Sequence, residues 1–190
     1  MPELPVLHVE TPAAWDAWLV DHADTSPGVR LRIAKKGKGL ASPTWAEAVE
    51  VALIHGWIDS QASRLDDASY LQRFTRRRRR SPWSRINRET AERLIEQGRM
   101  RPAGLAEVEA ARADGRWERA YPGSATAEVP ADLRAALDAS PVAAAAFEGL
   151  NRGDRYSILY RVGSVKRAET RARKIDEYVR KLAEGWRPSG

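Results

Sequence analysis

The sequence of 190 residues contains no cysteine and only three histidines, His8, His22 and His55. The lack of cysteine excludes disulfide bonds, thiol nucleophiles, thiolate zinc sites and iron–sulfur clusters. The histidines are too far apart in sequence for a metal-binding motif, so we expect no cofactor. No apolar run approaches the roughly 20 residues of a membrane-spanning helix, and residues 1–12 lack the pattern of a secretory signal. We therefore predict a cytoplasmic protein.

The chain also lacks the short motifs that identify common enzymes. Lys35-Lys36-Gly37-Lys38-Gly39 resembles a phosphate-binding loop, but it has neither the Walker spacing nor a following Ser or Thr. There is no GxSxG or HExxH string, and no spacing selects a catalytic triad. No catalytic residue is predicted, and the sequence favours a protein that is not an enzyme.

The apolar content is ample for a folded core. Hydrophobic residues make up 43% of the chain and include seven tryptophans, which argues against a disordered protein. Val29–Ile33 alternates apolar and basic residues as a half-buried strand does, and residues 57–61 and 70–74 read as a hairpin. Capping residues and apolar periodicity predict helices beginning near Pro12, Trp45, Asn87, Pro102, Pro130 and Pro141, with two more around Tyr156 and Ile175.

Two of these helices have specific sequence signals. Thr44 and Glu47 match a capping box, and the apolar stripe that follows begins with Trp45 and is expected to face the core. Asn87 is expected to cap the helix that follows the hairpin. The pattern as a whole predicts an α+β fold, in which helices pack on a small antiparallel sheet of about three strands and a mostly helical C-terminal half follows. We assign residues 1–128 to the α+β core domain and residues 129–190 to a helical region packed on it or appended to it.

The most informative feature is a concentrated block of arginine. Residues 73–88 read RFTRRRRRSPWSRINR and carry eight arginines without an acid, whereas the whole chain has a net charge of only +6. Guanidinium groups are rigid donors that bind phosphate, sulfate and carboxylate. The alternative is that these arginines bind no ligand and are solvated side chains paired with the acidic blocks on either side. Strand alternation allows only two or three of them to face one ligand.

We take this segment and the neighbouring lysines as the candidate site for an anion. Trp83 could stack on a base or sugar, although a tryptophan just before a helix more often anchors a loop to the core. Partners consistent with the charge are a phosphate-bearing small molecule, an acidic protein or, without any specific signature, nucleic acid. No pattern indicates an oligomeric state. The candidate ligand-binding residues are Lys35, Lys36, Arg73, Arg77, Arg78, Trp83, Arg85, Asn87 and Arg88.

Asp59 is the candidate acid. It lies among bulky residues in a predicted strand, so a buried carboxylate there needs a partner, and Arg73 on the facing strand is the expected one. A functional alternative is a general base with a raised pKa that acts with His55 as an acid–base pair.

Several short strings occur in a fixed order along the chain. They include Gly56-Trp57-Ile58-Asp59, Arg73-Phe74-Thr75, Ser81-Pro82-Trp83-Ser84, Ile86-Asn87-Arg88, Asp114-Gly115-Arg116-Trp117 and Glu169-Thr170-Arg171. Together they resemble the YdeI/OmpD-associated (OmdA) family over nearly the whole chain. One departure is Arg76, because the family often has proline after the Arg-Phe-Thr string. The resemblance implies a bacterial protein associated with stress survival, bacteriocin protection and resistance to cationic antimicrobial peptides, with no established reaction.

Overall fold

The computed structural model describes residues 3–189, which contain four strands and eight helices. The strands are β1 (Val6–Leu7), β2 (Val29–Ala34), β3 (Trp57–Arg64) and β4 (Ser69–Arg76). The helices are α1 (Pro12–His22), α2 (Trp45–Ile54), α3 (Arg85–Glu96), α4 (Pro102–Ala113), α5 (Ala131–Asp138), α6 (Pro141–Glu148), α7 (Arg152–Gly163) and α8 (Ala168–Ala183). The predicted α+β class is confirmed.

The sheet differs from the prediction in size and in direction. Its strand order is β1-β2-β4-β3, with antiparallel pairing of β4 to both β2 and β3 and parallel pairing of β1 to β2. The sheet is therefore mixed and has four strands, not about three antiparallel ones. The strand β1 is missed because two residues are too few to show an alternating pattern.

Capping chemistry explains where the helices begin. The predicted capping box of α2 is present, since Glu47 N–H donates to Thr44 Oγ1 at 3.3 Å and Thr44 N–H donates to Glu47 Oε2 at 2.8 Å. The predicted cap of α3 is wrong by three residues. Ser84 Oγ accepts the Asn87 N–H at 3.1 Å, so Ser84 is the cap and Asn87 lies buried in the first turn.

The chain divides into two compact units, residues 1–120 and residues 121–190. In the first unit, the core contains the apolar residues of β2 and three fully buried tryptophans, Trp15, Trp57 and Trp83. Trp45 was expected to join this core, but it is 42% exposed because it stands at the first position of α2. The predicted boundary at residue 128 stays a prediction, since compactness alone does not define a separately folding domain.

The second unit is helical and has a core of its own. Short helices bury one apolar face each, as their amphipathic spacing predicts. Within residues 3–189, no helix combines the length and the apolarity that crossing a membrane requires. Its large, fully buried side chains include Leu133, Leu137 and Phe147.

Candidate anion-binding site

The arginine block, residues 73–88, includes the connection between β4 and α3. We call residues 77–84 the basic loop. Ser81 N–H donates to Arg78 O at 2.7 Å, and Arg78 N–H donates to Ser81 Oγ at 3.0 Å, so Arg79 and Arg80 stand at the centre of a closed turn. The side chains of Arg78, Arg79 and Arg80 are all exposed. The local backbone therefore presents three adjacent guanidinium groups to solvent.

Arg77 has the opposite role from its three neighbours. It is only 5% exposed, and its guanidinium carbon lies 3.6 Å from the centroid of the Trp83 ring. Its Nη1 donates to Pro82 O at 3.2 Å, and its backbone N–H donates to Gly56 O at 3.0 Å. A guanidinium stacked on an indole in a buried setting is a strong cation–π contact. Arg77 thus joins the start of the loop to its end.

A second group of contacts to the basic loop comes from Trp117 and Arg116. The Trp83 and Trp117 rings meet edge to face with centroids 4.8 Å apart. Arg116 Nη1 donates to Ser81 O at 2.9 Å, while its Nε forms a salt bridge with Asp114 at 2.7 Å. Sequence reasoning did not assign Arg116 and Asp114 to the site. The only signal was their place in the Asp114-Gly115-Arg116-Trp117 string.

The remaining arginines of the block are divided among strand, helix and loop positions. Arg76 lies 3.4 Å from Asp24, and Arg88 lies 3.7 Å from Glu92 and donates to Trp117 O at 3.4 Å. Arg85 is exposed in the first turn of α3. Arg73 is half-buried, and its Nε has no hydrogen-bond partner among residues 3–189. The block is thus not one continuous binding surface.

The sequence suggested that Asp59 pairs with Arg73, and the structure shows that it does not. The register places Asp59 opposite Phe74, and directly paired residues share a face of the sheet. Arg73, one residue earlier, therefore lies on the other face. Asp59 Oδ2 instead accepts the Trp45 Nε1–H at 3.1 Å. Burial raises the pKa of the Asp59 carboxyl, while the hydrogen bond from Trp45 and the charge of Arg77 oppose that rise.

His55 and Asp59 do not form the acid–base pair that was considered. His55 is 6% exposed, and its Nε2 lies 2.7 Å from Asp16 Oδ1 on α1. Each candidate group therefore has another partner, His55 with Asp16 and Asp59 with Trp45. Asp16 was not singled out in the sequence because its distance from His55 along the chain gives no signal.

The two lysines of the predicted site are remote from the basic loop. Lys35 follows β2, and its Nζ donates to Asp66 O at 2.8 Å in the β3–β4 turn. Ala34 pairs with Ser69 at the beginning of β4, whereas the basic loop follows the end of that strand. The eight residues of β4 span roughly 26 Å. Lys35 and Lys36 therefore lie at the opposite end of the sheet and do not converge with Arg78.

The described part of the chain offers no evident metal centre. No group of three or more histidine, aspartate and glutamate side chains within residues 3–189 is arranged to hold a metal ion. The basic loop itself offers charge-assisted hydrogen bonding from its guanidinium groups.

Two family models match the chain, one within each unit. Residues 7–107 match a domain of unknown function (DUF8412), and residues 126–185 match a domain described as bacteriocin-protection, YdeI or OmpD-associated (OmdA). The first match covers more than half of the chain, which therefore belongs to the DUF8412 family and carries an OmdA domain in its second unit. No curated protein and no solved structure matches the chain.

The resemblance inferred from the sequence is confirmed for the C-terminal part. The OmdA match begins at residue 126, whereas most of the strings on which we based the resemblance lie before it. Those between residues 56 and 107 belong to the DUF8412 match. The basic loop is therefore a feature of the DUF8412 domain in this chain and not of the OmdA domain.

Proposed function

We propose that this protein binds phosphate-bearing anions through the exposed Arg78, Arg79 and Arg80 of the basic loop. One observation carries the proposal: three adjacent guanidinium groups stand on a closed turn, and none of them forms an ion pair with a carboxylate of residues 3–189. Most other arginines of the first unit have acidic partners, as Arg93 and Arg99 have in Glu50.

The way in which the loop is held favours binding over simple solvation. An exposed arginine loses side-chain and backbone entropy when it binds, and a backbone that is already ordered lowers this cost. Arg77 and Arg116 provide that order, since they hold Pro82 O and Ser81 O with hydrogen bonds of 3.2 and 2.9 Å. The positive charge of Arg77 also adds to the potential at the turn, because a charge in a protein interior is only weakly screened by salt.

The biological setting is part of the proposal. The OmdA domain is described by bacteriocin protection, so we place this anion binding in a bacterial stress or antimicrobial-peptide response in the cytoplasm. Binding of a phosphate-bearing small molecule is the version that we favour. We propose binding and not catalysis at the basic loop, which offers guanidinium donors.

The first test compares two triple variants of equal charge. Arg78→Gln/Arg79→Gln/Arg80→Gln removes the three exposed guanidinium groups of the turn, and Arg161→Gln/Arg167→Gln/Arg173→Gln removes three exposed arginines of the second unit. Titration calorimetry with inorganic pyrophosphate at low salt should show binding at least about tenfold weaker for the first variant, because several charge-assisted hydrogen bonds are lost. The second variant should bind like the wild type. Equal weakening in both would show that the loop has no special role.

Salt dependence separates a small phosphate ligand from nucleic acid. Binding to a single-stranded oligonucleotide releases counterions, so the slope of log affinity against log salt becomes steeper with the number of phosphates contacted. If the loop recognises a single phosphate-bearing ligand, lengthening a thymidine oligonucleotide beyond a few residues should leave this slope unchanged. A slope that grows with length would instead assign the loop to nucleic acid.

A further inference from the structure

The sheet of the first unit has one short edge and one long edge. The strand β1 forms the first edge with two residues, and β3 forms the other with eight. Edge strands present unpaired N–H and C=O groups, and proteins protect them by keeping the strand short or by placing lysine or proline in it. Residues 60–65, at the end of β3, are all exposed and contain neither lysine nor proline. The edge at β3 is therefore open to another strand.

A β-bulge limits how this edge can pair. The pairing of β3 with β4 shifts register between Asp59 and Ala62, and the buried Gln72 donates from Nε2 to Ser60 O at 2.9 Å. A bulge bends its strand and restricts the pairing of an edge. The edge is therefore suited to one short partner strand and not to an extended stack of sheets.

Two opposite charges lie on one face of this edge strand. Asp59 and Arg64 pair with residues of β4 that are an even number of positions apart, so both lie on the same face. Asp59 is half-buried, and the hydrogen bond from Trp45 Nε1 at 3.1 Å leaves other acceptor sites of its carboxylate for a further donor. The side chain of Arg64 is 77% exposed, and so is most of its salt-bridge partner Asp67. Such an exposed pair contributes little, so Arg64 can exchange it for another carboxylate at little cost.

A two-fold axis through an antiparallel strand pair brings each residue opposite a different residue of the same strand. We propose that β3 pairs in this way with β3 of a second copy of this chain, with the axis between Gln61 and Ala62. Asp59 of each copy then lies opposite Arg64 of the other, so the interface contains the same salt bridge twice. Opposite charges directly across a strand pair stabilise it. This dimer is independent of the anion binding proposed for the basic loop.

The same register matches apolar residues on the other face of the sheet. Ile58 and Leu65 are adjacent in sequence to Asp59 and Arg64, so they lie on the opposite face. Leu65 is 45% exposed and Ile58 is half-buried, and in the dimer each Leu65 lies opposite Ile58 of the other copy. Residues 60–63, between these pairs, contain no charged side chain, so no like charges meet at the axis. The strand is complementary to itself, as a two-fold interface requires.

The first experiment measures the mass of the full-length protein by sedimentation equilibrium, from micromolar to millimolar concentration. The average mass should rise from that of a monomer towards that of a dimer. The association should be weak, because one pair of strands is smaller than a stable interface of about 1,200–2,000 Å². Arg64→Glu places two carboxylates opposite each other and should weaken the dimer at least about tenfold.

A matched variant separates the proposed contact from a general effect of charge. Arg161→Glu makes the same change of charge at an exposed position of α7, and it should dimerise like the wild type. The proposal is overturned if the wild type stays monomeric at every concentration, or if Arg64→Glu and Arg161→Glu associate equally.

Cysteine cross-linking tests the register, because the chain has no cysteine of its own. In the proposed pair Ser60 lies opposite Ser63 of the other copy, whereas the two Ser60 residues are offset by roughly 10 Å along the strands. A disulfide needs Cα atoms within about 7 Å. Mild oxidation of a mixture of the Ser60→Cys and Ser63→Cys proteins should therefore link mainly one variant to the other. Ser164→Cys, at an exposed position after α7, is the control and should cross-link with neither. If each variant links to itself as readily as to the other, the proposed pairing is wrong.

Discussion

Two helical glycines, one in each unit, have opposite surroundings. A Cβ atom at Gly104 in α4 would lie 2.5 Å from Ile54 O and 2.7 Å from Leu53 O, at the end of α2. A Cβ atom at Gly163 in α7 would meet no described heavy atom within 4 Å. Gly104 therefore permits close contact between α4 and α2, whereas Gly163 has open space beside α7. Added volume should be tolerated at Gly163 and not at Gly104.

The largest predicted effect tests this contrast directly. Gly104→Val should destabilise the protein by about 3 kcal/mol, since the backbone carbonyls of α2 cannot move aside easily. Gly163→Ala should instead stabilise it by about 0.5 kcal/mol, because alanine favours the helical state and meets nothing. Urea denaturation followed by circular dichroism measures both free energies of unfolding. A Gly104→Val protein as stable as the wild type would mean that α4 is not closely packed on α2.

Two neighbouring arginines, the buried Arg77 and the exposed Arg78, should also differ in their contribution to stability. Arg77→Gln removes the guanidinium stacked on Trp83 and should cost about 2 kcal/mol of stability. Arg78→Gln removes an exposed side chain and should change stability by less than about 0.5 kcal/mol. The same denaturation experiment compares the two variants, which have equal charge. Equal costs would show that Arg77 does not hold the loop.

Local signals in the sequence identified most elements, because they act within one turn of the chain. The capping box at Thr44 and the alternation in Val29–Ile33 each specify a structure through neighbouring residues. The strand β1 was not predicted, since its two residues pair with β2 and show no alternating pattern of their own. Asn87 was mistaken for a cap because Ser84 and Asn87 are both good capping residues three positions apart.

The candidate site was predicted only in part, since its geometry depends on contacts between distant residues. The charge of the arginine block was evident, but the division between a buried Arg77 and an exposed Arg78 arises from packing on Trp83. The support from Arg116, about 35 residues away from Ser81, has no local signal. Trp45 looked like a core residue, yet its indole reaches Asp59 from the exposed start of α2.

The smallest predicted effect concerns two aspartates, one in each unit, whose pKa values move in opposite directions. Burial raises the pKa of Asp59 above its ordinary value of 3.8. The hydrogen bonds and charge of Arg171 lower the pKa of Asp132 below the same value. A raised carboxyl pKa means that the folded state disfavours the charged form, so Asp59 weakens the fold as the pH rises through and above 3.8. A lowered pKa means the reverse, so Asp132 stabilises the fold above 3.8 and loses that contribution as the pH falls through its folded value.

Asparagine substitutions at Asp59 and Asp132 should therefore have opposite effects on the stability of the fold at neutral pH. Asp59→Asn keeps an oxygen that can accept the Trp45 Nε1–H, and it should raise stability by less than about 1 kcal/mol. Asp132→Asn breaks a half-exposed pair with Arg171 and should lower stability by about 0.5 kcal/mol at low salt. Both differences should shrink in acid, because the wild-type carboxyls are then protonated as well. If Asp59→Asn were destabilising at neutral pH and neutral in acid, the charged form of Asp59 would be favoured by the fold, and Trp45 and Arg77 would outweigh its burial.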